Sequence, residues 1–186
     1  DILKEQVVDS LAHTPVLQYF ARGVAFAKTN QLAKAKESLE LMKTKMTEPV
    51  LKEPLAPFNA AYDGALVAQH ILEGVIASEE KDYKNAIAHF QQAVSNEDKL
   101  IYTEPRDWLL PARQYLGDAL IKAGKFNEAI VVFNKDLEIN PNNGWSLTGI
   151  ATCYKALNNK TSLAVAQKRL RDAWIIKDIT VESSVF

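Results

Sequence analysis

The chain has 186 residues, of which 47% are hydrophobic and 24% charged, and its seven glycines and seven prolines are too few for a loop-dominated or collagenous polymer; it can bury a sizeable core. Lys plus Arg (22) nearly balances Asp plus Glu (23), so no long-range field draws in phosphate backbones or anionic lipid, and nucleic acid is not an expected partner. The single cysteine, Cys153, rules out an intrachain disulfide framework, and no stretch approaches the roughly 20 apolar residues of a membrane span.

In chain order, the sequence opens at Asp1 without methionine or signal peptide and reads as cut from a longer precursor. Any targeting signal then lies upstream, and localisation, cytoplasmic or periplasmic, stays open. Residues 2–12 are apolar enough for a short helix through Leu3, Val7 and Leu11. Thr14-Pro15 offers a cap and a first-turn proline for a helix running to about Thr29, partnered by a second from Gln31 to about Glu48. Residues 49–57 hold three prolines and cannot continue as one helix. A further helix is expected through Ala60, Ala61, Ala65 and Leu66 to Ser78, and a second connector over Leu100 to Leu109. The final helix spans about Ser162 to Ile176. The tail after it, with Ile179, Thr180, Val181, Val185 and Phe186, is expected to fold back on the last hairpin or to dock into a second molecule.

A glycine and an alanine 12 residues apart, with a bulky apolar residue four further on, recur three times: Gly23, Ala35, Leu39; Gly74, Ala86, Phe90; Gly117, Ala129, Phe133. Small residues let antiparallel helices approach, and the bulky one fills the remaining gap. Ala151, 34 residues after Gly117, opens a looser fourth copy with Tyr154, Ala164 and Lys168, whose turn at Asn158–Thr161 reads as slightly long. Gly23 to Gly74 spans 51 residues and Gly74 to Gly117 spans 43, so a 34-residue unit leaves 17 and nine residues as insertions. Insertions emerge along one edge of a solenoid, which puts the two near each other.

The small, turn, aromatic and proline positions filled by Gly117, Gly124, Phe126, Ala129, Phe133 and Pro141 resemble the tetratricopeptide repeat (TPR) superfamily, best over residues 110–143. His70 and Arg113 occupy a position that is usually bulky and apolar. The run Glu104 to Trp108, with Pro111, Arg113, Leu116 and Gly117 and then Asn142 to Trp145, is similar to the C-terminal portion of bacterial TPR proteins without an established activity. The resemblance implies an all-α, right-handed superhelix of about four helix–turn–helix hairpins plus a flanking N-terminal helix, in one domain. Its repeats fall near 16–49, 67–100, 110–143 and 144–177, with insertions near 50–66 and 101–109.

The inner groove of such a stack is lined mainly by first helices, which nominates Leu17, Phe20, Val24, Ile71, Val75, Gln114, Asp118, Lys122, Thr148 and Thr152 as a peptide-binding surface, apolar early and polar late, with the alternative that the apolar end is covered by the first helix, by upstream repeats or by the 17-residue insertion. Family members that clamp chaperone tails use lysine, asparagine and arginine where this chain has Phe20, Val24, Leu72, Pro111 and Tyr115, which argues against that ligand. A second candidate is a connector pocket of Glu104, Arg106, Asp107, Trp108 and Arg113. Asp107 is placed to cap the following helix, Trp108 to pack under the loop, and Arg113 to pair with Glu104 or Asp107. The ligand-binding alternative has Arg106 or Arg113 capturing a carboxylate against Trp108.

Catalytic and metal motifs are thin. No HExxH, GxSxG, GxGxxG or phosphate-cradling loop occurs, and Cys153 has no second cysteine at metal-ligand spacing. His70 and Glu73, three apart, share one helical face that could supply one metal contact each, but read as a hairpin contact; His13 reads as loop and His89 as surface. No cofactor and no metal is expected. The sequence therefore reads as a non-catalytic scaffold for a protein or peptide, with the C-terminal module of a larger enzyme or ligand sensor as the alternative and homodimerisation through Phe20 and the early apolar surface as a third reading.

Overall fold

The computed structural model describes residues 2–8, 13–54, 57–176 and 181–185. Among them regular structure consists of eight α-helices and one short 3-10 turn, with no strand. The helices are α1 (His13–Lys28), α2 (Leu32–Lys45), α3 (Ala61–Glu79), α4 (Tyr83–Glu97), α5 (Ala112–Lys122), α6 (Phe126–Ile139), α7 (Gly144–Ala156) and α8 (Lys160–Ala173), with the 3-10 turn at Pro49–Lys52 between α2 and α3. The fold is an all-α helical repeat. Two compact units divide it, residues 1–112 with α1 to α4 and residues 113–186 with most of α5 and α6 to α8.

One turn recurs inside all four hairpins. Asn30, Lys81, Gly124 and Asn158 each adopt positive φ, between 54° and 74°, at the second position past the end of a helix. The N–H of the following residue then reaches back to a carbonyl in the last turn: Gln31 to Phe26 (2.8 Å), Asp82 to Ala77 (2.9 Å), Lys125 to Leu120 (2.8 Å) and Asn159 to Tyr154 (3.0 Å). This left-handed cap satisfies carbonyls that the ending helix would otherwise orphan. The α7–α8 turn was expected to be longer than the others. It is not: Ala156 and Lys160 bracket the same interval as Lys122 and Phe126.

Four helix starts are held by side chains. Asp82 accepts from Asn85 N–H (3.1 Å), Asn143 from Trp145 (3.0 Å) and Asn159 from Ser162 (3.1 Å), while Asp63 reaches back to Ala60 N–H (2.9 Å). Between α6 and α7, the buried Asp136 carboxylate accepts from Asn140 (2.8 Å), Asn143 (2.8 Å) and Ser146 (2.5 Å), so its desolvation is offset by three donors that set the corner.

The recurring small residues do what their spacing implied. Ala35, Ala86 and Ala129 are fully buried. A methyl added at Gly74 would meet Phe90 at 2.5 Å, and at Gly117 or Gly149 it would overlap the Phe133 ring, which α5 and α7 therefore hold from two sides. Gly23 departs from the pattern, since its close neighbour is Leu72 of α3 at 2.6 Å and not Leu39.

Both chain ends differ from expectation. Residues 2–5 turn and residues 6–8 are irregular, so no helix forms there, and the segment lies along α1, with Arg22 donating to the Glu5 carbonyl (2.5 Å) and Val8 N–H to Gln18 (2.7 Å); residues 9–12 lie outside the described residues. At the other end, residues 181–185 settle on α5 instead of the final hairpin. Ile179, Thr180 and Phe186 lie outside the described residues.

Candidate functional site

In the first unit the two insertions meet. Asn59, from the first, donates through Nδ2 to the Ile101 carbonyl (2.9 Å) and to Asp107 Oδ2 (2.6 Å), and accepts from Ile101 N–H through Oδ1 (2.8 Å). The Asp107 carboxylate is thus turned toward Asn59, and it does not cap α5 as expected. That task falls to Glu97 of α4, which accepts from Ala112 N–H at 2.9 Å. Trp108 is buried and donates to the Leu110 carbonyl (2.6 Å), with its ring edge-on to Phe20 at 5.3 Å.

Leu17, Leu51, Asn59, Asp107 and Trp108 line a cavity of about 270 Å³ beside the start of α1. It joins one predicted groove residue, Leu17, to two predicted connector residues. The other connector residues are elsewhere: Glu104 is exposed and accepts from the Tyr102 hydroxyl, and Arg106 stacks over the Tyr102 ring at 5.7 Å. Arg113 belongs to the second unit, where it is buried on α5.

The apolar part of the predicted groove is closed. Phe20, Val24, Ile71 and Val75 are all buried, because α1 packs on α3 and the second insertion brings Trp108 onto Phe20; Leu17 alone of that set is exposed. Phe20, the side chain named for homodimerisation, is thus buried. In the second unit Gln114 and Asp118 line up on α5, and Lys122 pairs with Asp118 at 2.8 Å. Ser183 Oγ donates to Asp118 Oδ1 (3.2 Å) and Ser184 Oγ to the Gln114 carbonyl (3.4 Å), while Ser184 and Val185 are buried. On α7 the Thr148 hydroxyl is spent on its own helix, donating to the Gly144 carbonyl (2.8 Å), and Thr152 is half-buried.

A third constellation was not anticipated as a unit. His70 and Glu73 of α3 and His89 of α4 converge in the first unit, with both imidazole Nδ1 atoms on the same carboxylate oxygen, Glu73 Oε2, at 3.0 and 3.1 Å. The other oxygen, Oε1, accepts from Lys43 Nζ of α2 (2.9 Å) and Gln69 Nε2 (3.1 Å). Burial alone would raise the Glu73 carboxyl, but the hydrogen bonds from His70, Lys43 and Gln69 and the charge of Lys43 outweigh it and bring the group down to about 2. The i, i+3 pair was legible in the sequence; His89 reads as surface because its partnership depends on how α4 lies against α3.

Two stretches match the tetratricopeptide repeat family, residues 70–99 and residues 111–143. Among curated proteins none matches the sequence. Solved structures similar to this chain include MamA AMB-1, at 18% identity and a TM-score of 0.48, with 90% of this chain and 94% of that one covered. MamA MSR-1 is similar at 17% identity and a TM-score of 0.44, covering 85% and 95%. No described helix is long and apolar enough to cross a membrane.

Proposed function

Because the chain belongs to the tetratricopeptide repeat superfamily, we propose that it is a non-catalytic protein-interaction scaffold whose α5 face grips a short segment of a partner. The observation that carries this reading is the chain's own segment 181–185. It sits on the polar face of α5, with two serine hydroxyls on Asp118 and Gln114 and Val185 buried beside them. A surface that satisfies a hydroxyl-rich segment of this chain has the donors, acceptors and apolar relief to hold a similar segment from elsewhere.

The test uses a chain ending at Ile176 and a fluorescent peptide copying residues 177–186. The shortened chain is expected to bind the peptide saturably, the intact chain at least about tenfold more weakly, since a tethered segment competes at high effective concentration. Asp118→Ala in the shortened chain should weaken binding. A shortened chain that keeps its helical circular dichroism and ignores the peptide refutes the assignment.

A further inference from the structure

The convergence of His70, Glu73 and His89 is a ligand set in waiting. We infer that these three side chains form a binding site for a borderline divalent transition metal, of which zinc is the natural probe. One ligand atom from each, an imidazole nitrogen of His70, an imidazole nitrogen of His89 and a Glu73 carboxylate oxygen, already lie within 4.8 Å of one another. Zinc holds imidazole nitrogen and carboxylate oxygen at about 2.0–2.2 Å, which places neighbouring ligand atoms in a tetrahedral set about 3.3–3.5 Å apart. The two Nδ1 to Oε2 distances, 3.0 and 3.1 Å, are within a few tenths of an ångström of that spacing.

Chemistry and access agree with the geometry. A carboxylate oxygen and two imidazole nitrogens are donors that such an ion takes, and on binding each imidazole gives up the Nδ1 proton it shares with Glu73 and keeps one on Nε2. The rings stack at 6.0 Å with 29° between planes, so both can present the same edge to one ion. Gln69 and Lys43 hold Oε1 and thereby aim Oε2 at the histidines, an outer support of the kind metal sites use. The groove leading in carries Glu40, Glu80 and Asp82 along with Lys36 and Lys43, so cations meet more negative than positive side chains on the way. Two imidazoles select against magnesium and calcium, which prefer all-oxygen shells. Three protein ligands leave a fourth position for water, and the ion would pin α3 to α4.

Lys43 gives the inference a signature that plain hairpin packing does not share. Its ammonium is 2.9 Å from Glu73, where it supports the ligand but repels an incoming cation. Replacing it with neutral Lys43→Gln should tighten zinc binding by about threefold or more at low salt, and this gain should shrink as salt is added.

The experiment is calorimetric titration of the tag-free chain with zinc alone, with thermal unfolding as a second readout and magnesium as control. One equivalent of zinc is expected to bind and to raise the melting temperature, while magnesium does neither. His70→Ala and His89→Ala should each weaken zinc by at least about tenfold. His89 is the more exposed of the pair, with 37% of its side chain accessible, so its variant tests the site even if His70→Ala fails to fold. No stoichiometric binding, or binding that survives His89→Ala, overturns the assignment.

Discussion

Asn59 donates to Asp107 across 48 residues of sequence at 2.6 Å, and this bond, with the two between Asn59 and Ile101, ties the two insertions of the first unit to each other. A hydrogen bond to a charged acceptor contributes about 1.5–3 kcal/mol when well protected, less when exposed as here. A double-mutant cycle with Asn59→Ala and Asp107→Ala should return a coupling of about 1 kcal/mol. Trp108→Ala, which removes the wall of the cavity and the edge-on contact with Phe20, should cost about 3–5 kcal/mol. Urea unfolding measures both.

Phe133 leaves no room for a methyl on either side. Gly117→Ala and Gly149→Ala should each destabilise by about 1–3 kcal/mol through overpacking. Adding Phe133→Leu to either should cost less than the sum of the separate effects, since one shared clash is being relieved. Additive costs would show that the ring is not what the glycines accommodate.

Lys81 stands where the other hairpins have Asn30, Gly124 and Asn158, with φ at 63°. A side chain with a full Cβ is strained there by about 1–2 kcal/mol, and relieving that strain outweighs the smaller cost, about 0.4–1 kcal/mol, of the freedom glycine adds to the unfolded chain. Lys81→Gly should therefore raise stability by about 0.5–1 kcal/mol, visible as a higher midpoint in thermal unfolding.

Glu73 makes part of the stability pH-dependent. Its carboxyl is held at about 2, below the ordinary 4.5, so the unfolded chain takes up the proton first as the pH falls. The contribution is complete above about 4.5 and disappears as the pH drops through about 2. Glu73→Gln should be less stable than the parent at pH 7 by about 1–2 kcal/mol after allowance for solvent screening, with the gap closing toward pH 2. Chelator in the buffer keeps bound metal out of the comparison.

Cys153 is fully buried on α7, and burial pushes its thiol up to about 11. Only the thiolate reacts, so labelling by a disulfide reagent at pH 8 should run at least about a hundredfold slower in buffer than in urea. Fast labelling of the native chain would place the cysteine on a surface.

The paired helices and the close packing at Gly74 and Gly117 could be read from residue spacing, but the short helix expected over residues 2–12 is not formed at residues 2–8. The pair His70 and Glu73 could be read too, because it depends on neighbours within one turn. The proximity of the insertions also followed, since departures from a fixed repeat collect along one edge. Positions of connector side chains did not follow: Asp107 had a plausible local task at the next helix, and Glu97, 15 residues before Ala112, took it.

By itself, then, the sequence determined an all-α chain of paired helices with balanced charge, since small residues at regular intervals and turn residues after them act locally. The tertiary structure alone decided that Trp108 covers Phe20, that residues 181–185 lie on α5, and that His89 reaches the carboxylate of Glu73. Those meetings depend on the path of the irregular segments and the rotation of one helix against its neighbour. Both are set by packing over long separations, where no local period carries the information.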